Sequence, residues 1–262
     1  MAQVGIVTKY TFLDYLRSRR FLILMIITLF ISAILTILVA HFRPASMLGS
    51  TLSFYSTWWG MFAGDLVVII GIFFGGDAIS AEFQNKTGYF TIPNPIRRST
   101  IYIGKYVAAF IASTIVLLVY LVLAVLNGLY YFGASFPYEL GDSFLFAWFY
   151  LLAVLGFAFM FSSLFKTSAY SILVSFLVLF IGFTIIQGVI EALANTEPWY
   201  ILNYGSDIIS NVFTVPYPVT KTAALGFTSY VATIPEGLAI IGIYFIATSA
   251  LGLFLFERKE FN

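Results

Sequence analysis

Residues 75–105 read GGDAISAEFQNKTGYFTIPNPIRRSTIYIGK. This stretch is the longest charged interruption between two apolar runs of the chain. It contains six charged side chains: Asp77, Glu82, Lys86, Arg97, Arg98 and Lys105. The apolar runs on both sides are long enough to cross a bilayer, since about 20 residues of helix span about 30 Å. The stretch therefore predicts a polar connection between two membrane spans, accessible to a molecule in the aqueous phase.

The composition indicates an integral membrane protein. Of the 262 residues, 61% are hydrophobic and 10% are charged, whereas a soluble domain has roughly 25% charged residues. The net charge of +1 provides no basic face for nucleic acid. The chain has no cysteine, which excludes disulfides and thiolate metal sites, and its single histidine, His41, leaves little scope for an imidazole site.

Six apolar runs predict an all-α integral membrane protein with six transmembrane helices and one transmembrane domain over residues 1–262. Residues 1–20 predict an N-terminal amphipathic helix on the membrane surface. Residues 77–99 form the polar connection, and residues 191–236 form a long irregular loop with four prolines. The predicted spans are Phe21–Ala40, Trp58–Gly76, Ile101–Asn127, Ser143–Phe165, Ala169–Ile190 and Gly237–Phe256.

The basic residues predict the orientation. With the N-terminus in the cytoplasm, eleven lysines and arginines fall inside and only two, Arg43 and Lys221, fall outside, which is a positive-inside bias. We expect a multi-pass protein of the plasma membrane with both termini and residues 77–99 in the cytoplasm. The eleven are Lys9, Arg17, Arg19, Arg20, Lys86, Arg97, Arg98, Lys105, Lys166, Arg258 and Lys259.

The sequence predicts no enzyme in this chain. The Gly104-Lys105 pair is preceded by Ser99 where a P-loop requires glycine, and followed by Tyr106 where it requires Ser or Thr. No two carboxylates inside the spans pair at helical spacing. A Ser/His/Asp set is not apparent either, since His41 is the single histidine. We therefore expect no catalytic residue, no cofactor and no metal site.

Within the polar connection, a short helix is expected before Pro93. Ile79, Phe83 and Phe90 share one helical face, and Pro93 and Pro95 end the helix. A short helix joined to two spans can transmit force from a docked partner. The alternative is that the basic residues only bind anionic lipid headgroups; that alternative accounts neither for the acidic residues nor for the proline stop.

Six residues of this region resemble a pattern of type-2 ABC transporter permeases. They are Glu82, Thr87, Pro95, Arg98, Gly104 and Lys105. The plan of an amphipathic start, six spans and a long outer loop before the last span is similar to that family too. Two positions depart from the pattern: Lys86 replaces a glycine, and Arg97 replaces a small polar residue.

The resemblance implies a coupling helix that sits in a cleft of a separately encoded cytosolic ATPase. It implies two copies of that ATPase, which bind ATP and Mg, and a second permease subunit, expected to be a homodimer partner. Short re-entrant helices within residues 191–236 are implied as an outer gate, with a surface loop as the alternative. The residues expected to couple to the ATPase are Asp77, Glu82, Phe83, Lys86, Thr87, Pro95, Arg97 and Arg98.

Polar residues inside the spans predict a translocation path. Asp65 is the one acid well inside a span, about 10 Å beyond the Trp58/Trp59 pair at helical rise, and a carboxylate there must face protein or water. Ser171, Ser175 and Gln187 are the candidates in the fifth span. For Asp65 the alternative is a local hydrogen bond or a wet funnel near the outer surface. For the fifth-span residues the alternative is helix packing, which small hydroxyl residues commonly serve.

Four glycines of the second span lie on one stripe, and their spacing allows close helix contact inside the subunit or at a seam between subunits. They are Gly60, Gly64, Gly71 and Gly75.

The expected function is that of the membrane subunit of an ATP-driven exporter of a hydrophobic or amphipathic substrate. One alternative is an ion-coupled secondary transporter with inverted repeats, although no repeat is visible in the sequence. The other is a structural membrane anchor of a complex. Membrane lipid is an expected partner in each case.

Overall fold

The computed structural model describes residues 2–85, 97–194, 196–218, 223–224, 227–228 and 230–259. Within these residues the fold is all-α apart from two two-residue strands, Ala223–Ala224 and Phe227–Thr228, which pair antiparallel. Among the described residues, six helices are long and apolar enough to cross a membrane, which confirms the predicted number. The six spans are Arg19–Phe42, Thr51–Gln84, Arg98–Phe132, Tyr138–Leu164, Ser168–Leu193 and Ile234–Arg258.

Two of the spans are composite. The second span consists of helices Thr51–Tyr55, Met61–Gly75 and Ser80–Gln84, with a π-helical segment Ser56–Gly60. The fifth consists of Ser168–Phe176 and Phe183–Val189, with π-helical segments at Leu177–Gly182 and Ile190–Ala194. The remaining helices are Ala2–Arg17, Ala45–Leu48, Leu202–Ser206 and Ile208–Asn211.

Because six spans return the chain to its starting side, both chain ends lie on one side, which we call the basic side. The other is the opposite side. The observed helices extend beyond several predicted bounds: the second span begins at Thr51 and the sixth at Ile234. The helix expected within residues 1–20 is Ala2–Arg17.

The second and fourth spans pack at the centre, and glycine makes their close approach possible. A Cβ at Gly71 would lie 2.5 Å from Val154 Cγ1, and one at Gly75 would lie 2.9 Å from Ala158 Cβ. These two glycines therefore serve packing inside the subunit. A Cβ at Gly64 would have no neighbouring atom within 4 Å, so this position faces open space.

The two tryptophans that open the predicted second span are core residues rather than an interfacial belt. Trp58 and Trp59 are both 0% exposed, and each stacks on Tyr120 at 5.3 Å between ring centroids. Tyr120 donates to the Trp58 carbonyl at 2.6 Å, and Trp59 Nε1 donates to Ser143 Oγ at 2.9 Å. Because both rings are fully buried inside the bundle, the pair does not mark the membrane surface; within the described residues, Trp58 Nε1 has no hydrogen-bond partner.

The N-terminal helix packs on the start of the third span. A Cβ at Gly104 would lie 2.7 Å from Val7 Cγ1, and Thr8 Oγ1 donates to the Gly104 carbonyl at 3.2 Å. Tyr15 donates to the Phe74 carbonyl at 3.0 Å. The glycine of the Gly104-Lys105 pair thus serves a helix crossing, and the position of this helix on a membrane surface stays a prediction.

Candidate functional site

On the basic side, the short helix Ser80–Gln84 is the described part of the predicted coupling segment. Its first turn is capped from the fourth span, because Ser162 Oγ accepts from the backbone N–H groups of Ile79 and Ser80 at 2.8 and 2.9 Å. These N–H groups have no partner within their own helix. A serine of the fourth span therefore fixes the start of this helix.

The same short helix is tied to the third and fifth spans. Lys105 Nζ lies 2.5 Å from Glu82 Oε1 and donates to the Ala78 carbonyl at 2.8 Å. Gln84 Oε1 accepts from the backbone N–H of Ser168, the first residue of the fifth span, at 2.8 Å. Glu82 thus pairs with a lysine of its own chain, about two turns inside the third span.

Arg98 binds the end of the sixth span. Its Nη1 atom donates to the carbonyls of Phe256, Glu257 and Lys259 at 3.2, 2.9 and 2.7 Å. The last carbonyls of a helix have no intrahelical donor and carry partial negative charge, so a guanidinium is a favourable cap there. The arginine of the predicted motif therefore joins the start of the third span to the end of the sixth.

Lys259 makes the equivalent contact with the fourth span. Its Nζ atom donates to the carbonyls of Ser163 and Phe165 at 2.8 and 2.6 Å, and it lies 4.2 Å from the centroid of the Phe83 ring. Burial, followed by the charge of Lys166, lowers the pKa of Lys259 to about 8.

Asp77 joins the first and second spans. It is 3% exposed and forms an ion pair with Arg20, which lies in the first turn of the first span. A buried carboxylate without a cation is strongly unfavourable. Asp77 is therefore held inside the single chain, and its contact with an ATPase stays a prediction.

The predicted coupling residues thus differ in where they lie. Glu82, Phe83 and Arg98 contact other spans of the same chain, and Arg97 is exposed at the N-cap of the third span. Lys86, Thr87, Phe90, Pro93 and Pro95 lie outside the described residues.

Sequence reasoning missed Ser162 and Lys259 as partners of this segment. The signals for Ser162 and Lys259 are weak: a serine pair closing an apolar run, and one lysine among several charges at the end of the chain.

The opposite-side half of the molecule contains a cavity of about 390 Å³ between the second and fifth spans and the two short helices that follow the fifth. Asp65 and Gln187, both predicted from the sequence, line it. The remaining lining residues are Gly60, Met61, Gly64, Val68, Tyr150, Leu179, Phe180, Thr184, Gly188, Glu191, Asn203, Ser206, Asp207, Ile209 and Ser210.

Gln187 links two carboxylates of this cavity. Its Nε2 atom donates to Glu191 Oε1 and to Asp207 Oδ2, both at 3.2 Å. Burial raises the pKa of Asp207 to about 7; the Gln187 hydrogen bond opposes this shift and the nearby charge of Glu191 adds to it. Asp65 brings a third carboxylate from the second span.

The short helices Leu202–Ser206 and Ile208–Asn211 hold Asp207 at the cavity. They pack on the sixth span where glycines face each other, since a Cβ at Gly237 would lie 2.8 Å from the Gly205 carbonyl and 2.5 Å from Ile208 Cγ2. Ser143 Oγ donates to the Ile209 carbonyl at 2.5 Å. These contacts fix the segment against the fourth and sixth spans.

The two predicted serines of the fifth span lie away from this cavity. Ser171 and Ser175 are both 0% exposed, and neither lines the cavity. Ser175 Oγ donates to the Ser171 carbonyl at 2.8 Å, which is a common arrangement of hydroxyl residues in helices. In this conformation both serines occupy packing positions, so a role in the translocation path stays a prediction.

Comparison with known proteins agrees with this architecture. Over 134 residues the chain is 32% identical to the uncharacterized membrane protein YdbK of Bacillus subtilis (strain 168), an alignment that covers 47% of this chain and 52% of that protein. The chain thus matches about half the length of this curated relative. The model of the ABC-2 family transporter proteins matches residues 6–261, nearly the whole chain. The protein therefore belongs to the ABC-2 transporter family, and membership makes it a multi-pass membrane subunit of an ABC transporter.

Proposed function

We propose that the chain is the membrane subunit of an ATP-driven exporter, with residues 77–99 docking on a separate cytosolic ATPase. Two ATPase copies bind ATP and Mg and hydrolyse ATP, and this chain performs no catalysis. Closure of the ATPases moves the short helix, and the spans shift so that the cavity opens outward. The basic side is then the cytoplasmic side of the plasma membrane.

The observation that carries the proposal is the set of contacts made by the short helix Ser80–Gln84. Besides its own span, it contacts the third span through Lys105, the fourth through Ser162, the fifth through Ser168 and the sixth through Phe256. A displacement of this helix would therefore disturb its contacts with four other spans. Headgroup binding requires no such connection to the bundle.

The cavity supports the assignment of a path and of a dimer. Asp65 and Thr184 are exposed on the surface of the single chain, although both lie within spans. A carboxylate facing lipid is strongly unfavourable, so this face requires a cover. A second copy of the chain, with its own second and fifth spans at the same seam, would provide one and join the two cavities into a central path.

The test of docking uses Arg97, which is exposed. Candidate ABC ATPases of the source genome are co-expressed with the tagged chain, and the co-purified ATPase and its hydrolysis rate are measured. Loss of one charge from a docked pair costs roughly 2–5 kcal/mol, so Arg97→Glu should reduce ATPase recovery tenfold or more. Arg43→Glu, an exposed reversal on the opposite side, is the matched control and should leave recovery unchanged.

A charge swap separates docking from internal support. Glu82→Lys breaks the pair with Lys105 and is expected to impair coupling. The double variant Glu82→Lys/Lys105→Glu restores the internal pair and should recover coupling if Glu82 acts by holding the short helix. Full ATPase recovery and substrate-stimulated hydrolysis in both Arg97→Glu and Glu82→Lys would contradict the proposal and favour headgroup binding or a structural anchor.

A further inference from the structure

The charged side chains that line the cavity on the opposite side are all acidic. Its lining contains three carboxylates, Asp65, Glu191 and Asp207, and the lining residues include no lysine, arginine or histidine. Two of the carboxylates share one glutamine amide as donor. The third, Asp65, lies 14 residues into the second span and is exposed at the cavity. The space between them is large enough for a ligand, since small-molecule pockets begin at roughly 300 Å³.

The walls between these carboxylates are mixed: hydroxyl and amide side chains such as Thr184, Asn203 and Ser210 line them together with an apolar patch. Met61 and Val68 come from the second span, Leu179 and Phe180 from the fifth, and Ile209 from the second short helix. Within the described residues no group of three or more His, Asp or Glu side chains is close enough together to hold a metal ion. Dispersed carboxylates around a space with one apolar patch suit a large organic cation with spread charge better than a compact metal ion, which requires converging oxygen ligands.

We propose that this cavity binds an amphipathic organic cation, with its apolar groups against Met61, Val68, Leu179 and Phe180 and its positive charge shared by Asp65, Glu191 and Asp207. Bound charge of the opposite sign offsets the cost of holding carboxylates inside the membrane. The Phe180 ring adds a further favourable surface for a cation. That the molecule is then exported rests on the proposed function; that it binds does not.

The test compares two probes of nearly the same shape and opposite charge, tetraphenylphosphonium and tetraphenylborate. The full chain is reconstituted without ATPase in phosphatidylcholine nanodiscs at pH 8, and binding is measured against empty nanodiscs. We expect saturable binding of tetraphenylphosphonium only. The triple variant Asp65→Asn/Glu191→Gln/Asp207→Asn should weaken that binding at least tenfold. Asp142→Asn removes an acid on the same side that does not line the cavity, and should bind as the unmodified chain does.

Each outcome decides the inference separately from the exporter proposal. Equal binding of both probes, or tetraphenylphosphonium binding that the triple variant retains, overturns it. Gly64→Leu guards against a folding defect of the triple variant, because it fills open space in the cavity without removing a charge and should also abolish binding. The binding measurement contains no ATPase, so it does not depend on the exporter proposal. If tetraphenylphosphonium binds selectively but does not stimulate ATP hydrolysis once the ATPase is added, the inference stands and the exporter proposal is contradicted.

Discussion

At the scale of single residues, Asp207 makes the stability of the protein depend on pH. It sits between the two short helices beyond the fifth span and accepts a hydrogen bond from Gln187. Burial raises its pKa to about 7, whereas an unfolded chain has an aspartate pKa of roughly 4. Between these two values the folded protein binds more protons than the unfolded one. Its free energy of unfolding therefore falls as the pH rises from about 4 through 7.

This direction of the pH dependence gives a prediction for Asp207→Asn. The asparagine carries no charge at any pH and its carbonyl still accepts from Gln187. The variant should therefore be more thermostable than the unmodified chain at pH 8, and the difference should shrink towards pH 5. Melting temperatures in detergent between pH 5 and 8.5 measure it, with Asp142→Asn as the control for losing one negative charge. A difference that stays constant over this range would contradict the burial of an ionising Asp207.

Arg98 shows why a motif residue need not face the partner. The family pattern places an arginine after the proline stop, and the expectation was a contact with the ATPase. In the structure its guanidinium instead binds three carbonyls at the end of the sixth span. A reversal such as Arg98→Glu would therefore place negative charge against helix-end carbonyls, and any loss of coupling would not by itself report on docking.

At the scale of elements, the pairing of the second and fourth spans depends on glycine. Inside a bilayer the hydrophobic effect does not drive helices together. Membrane helices therefore associate through close packing, for which small residues are required. Gly71 faces Val154 and Gly75 faces Ala158 at distances that leave no room for a methyl group. Gly64, on the same stripe, faces the cavity instead. Gly71 and Gly75 therefore pack against the fourth span towards the basic side, whereas towards the opposite side Gly64 faces open space and Gly60 lies close to Phe213.

This division predicts different effects for two equivalent substitutions. Gly71→Ala must displace Val154 or separate the spans, a strain of roughly 1–3 kcal/mol. Gly64→Ala meets nothing within 4 Å and gains about 1 kcal/mol of helix propensity. Each kcal/mol moves the melting temperature of a chain this size by about 2–4 °C. Thermal denaturation in detergent should therefore rank Gly71→Ala below the unmodified chain and Gly64→Ala at or above it; equal melting temperatures would refute the packing assignment.

At the scale of the whole molecule, span number and membrane class could be predicted because they depend on local composition. Asp65 and Gln187 could be found for the same reason, since a polar side chain in an apolar run stands out. Glu191 and Asp207 carry no such signal, because acids are common at helix ends and in loops. Their meeting depends on a loop that folds back against the fifth span. The contacts of Arg98 and Lys259 join residues 94 to 161 positions apart, which no local pattern reveals.

The single chain also exposes two different kinds of surface in its spans. The sixth span exposes apolar side chains such as Ile243, Ile246 and Phe254, which suit contact with lipid. The seam of the second and fifth spans exposes Asp65 and Thr184, which do not. A dimer formed at this seam would cover the polar groups and leave the apolar surface to lipid, whereas a dimer formed through the sixth span would leave a carboxylate facing lipid.

Crosslinking can decide between these two faces, since the chain has no cysteine of its own. Met61 and Ile243 are matched sites: they are 64% and 66% exposed, and they lie about 15 and about 14 Å along their spans from the opposite side at helical rise. With a short bifunctional maleimide, Met61→Cys should give a covalent dimer because two copies meet at that seam. Ile243→Cys should remain monomeric while still reacting with a monofunctional maleimide. Dimer formation through Ile243→Cys alone would place the subunit interface on the sixth span and leave the cavity without its proposed cover.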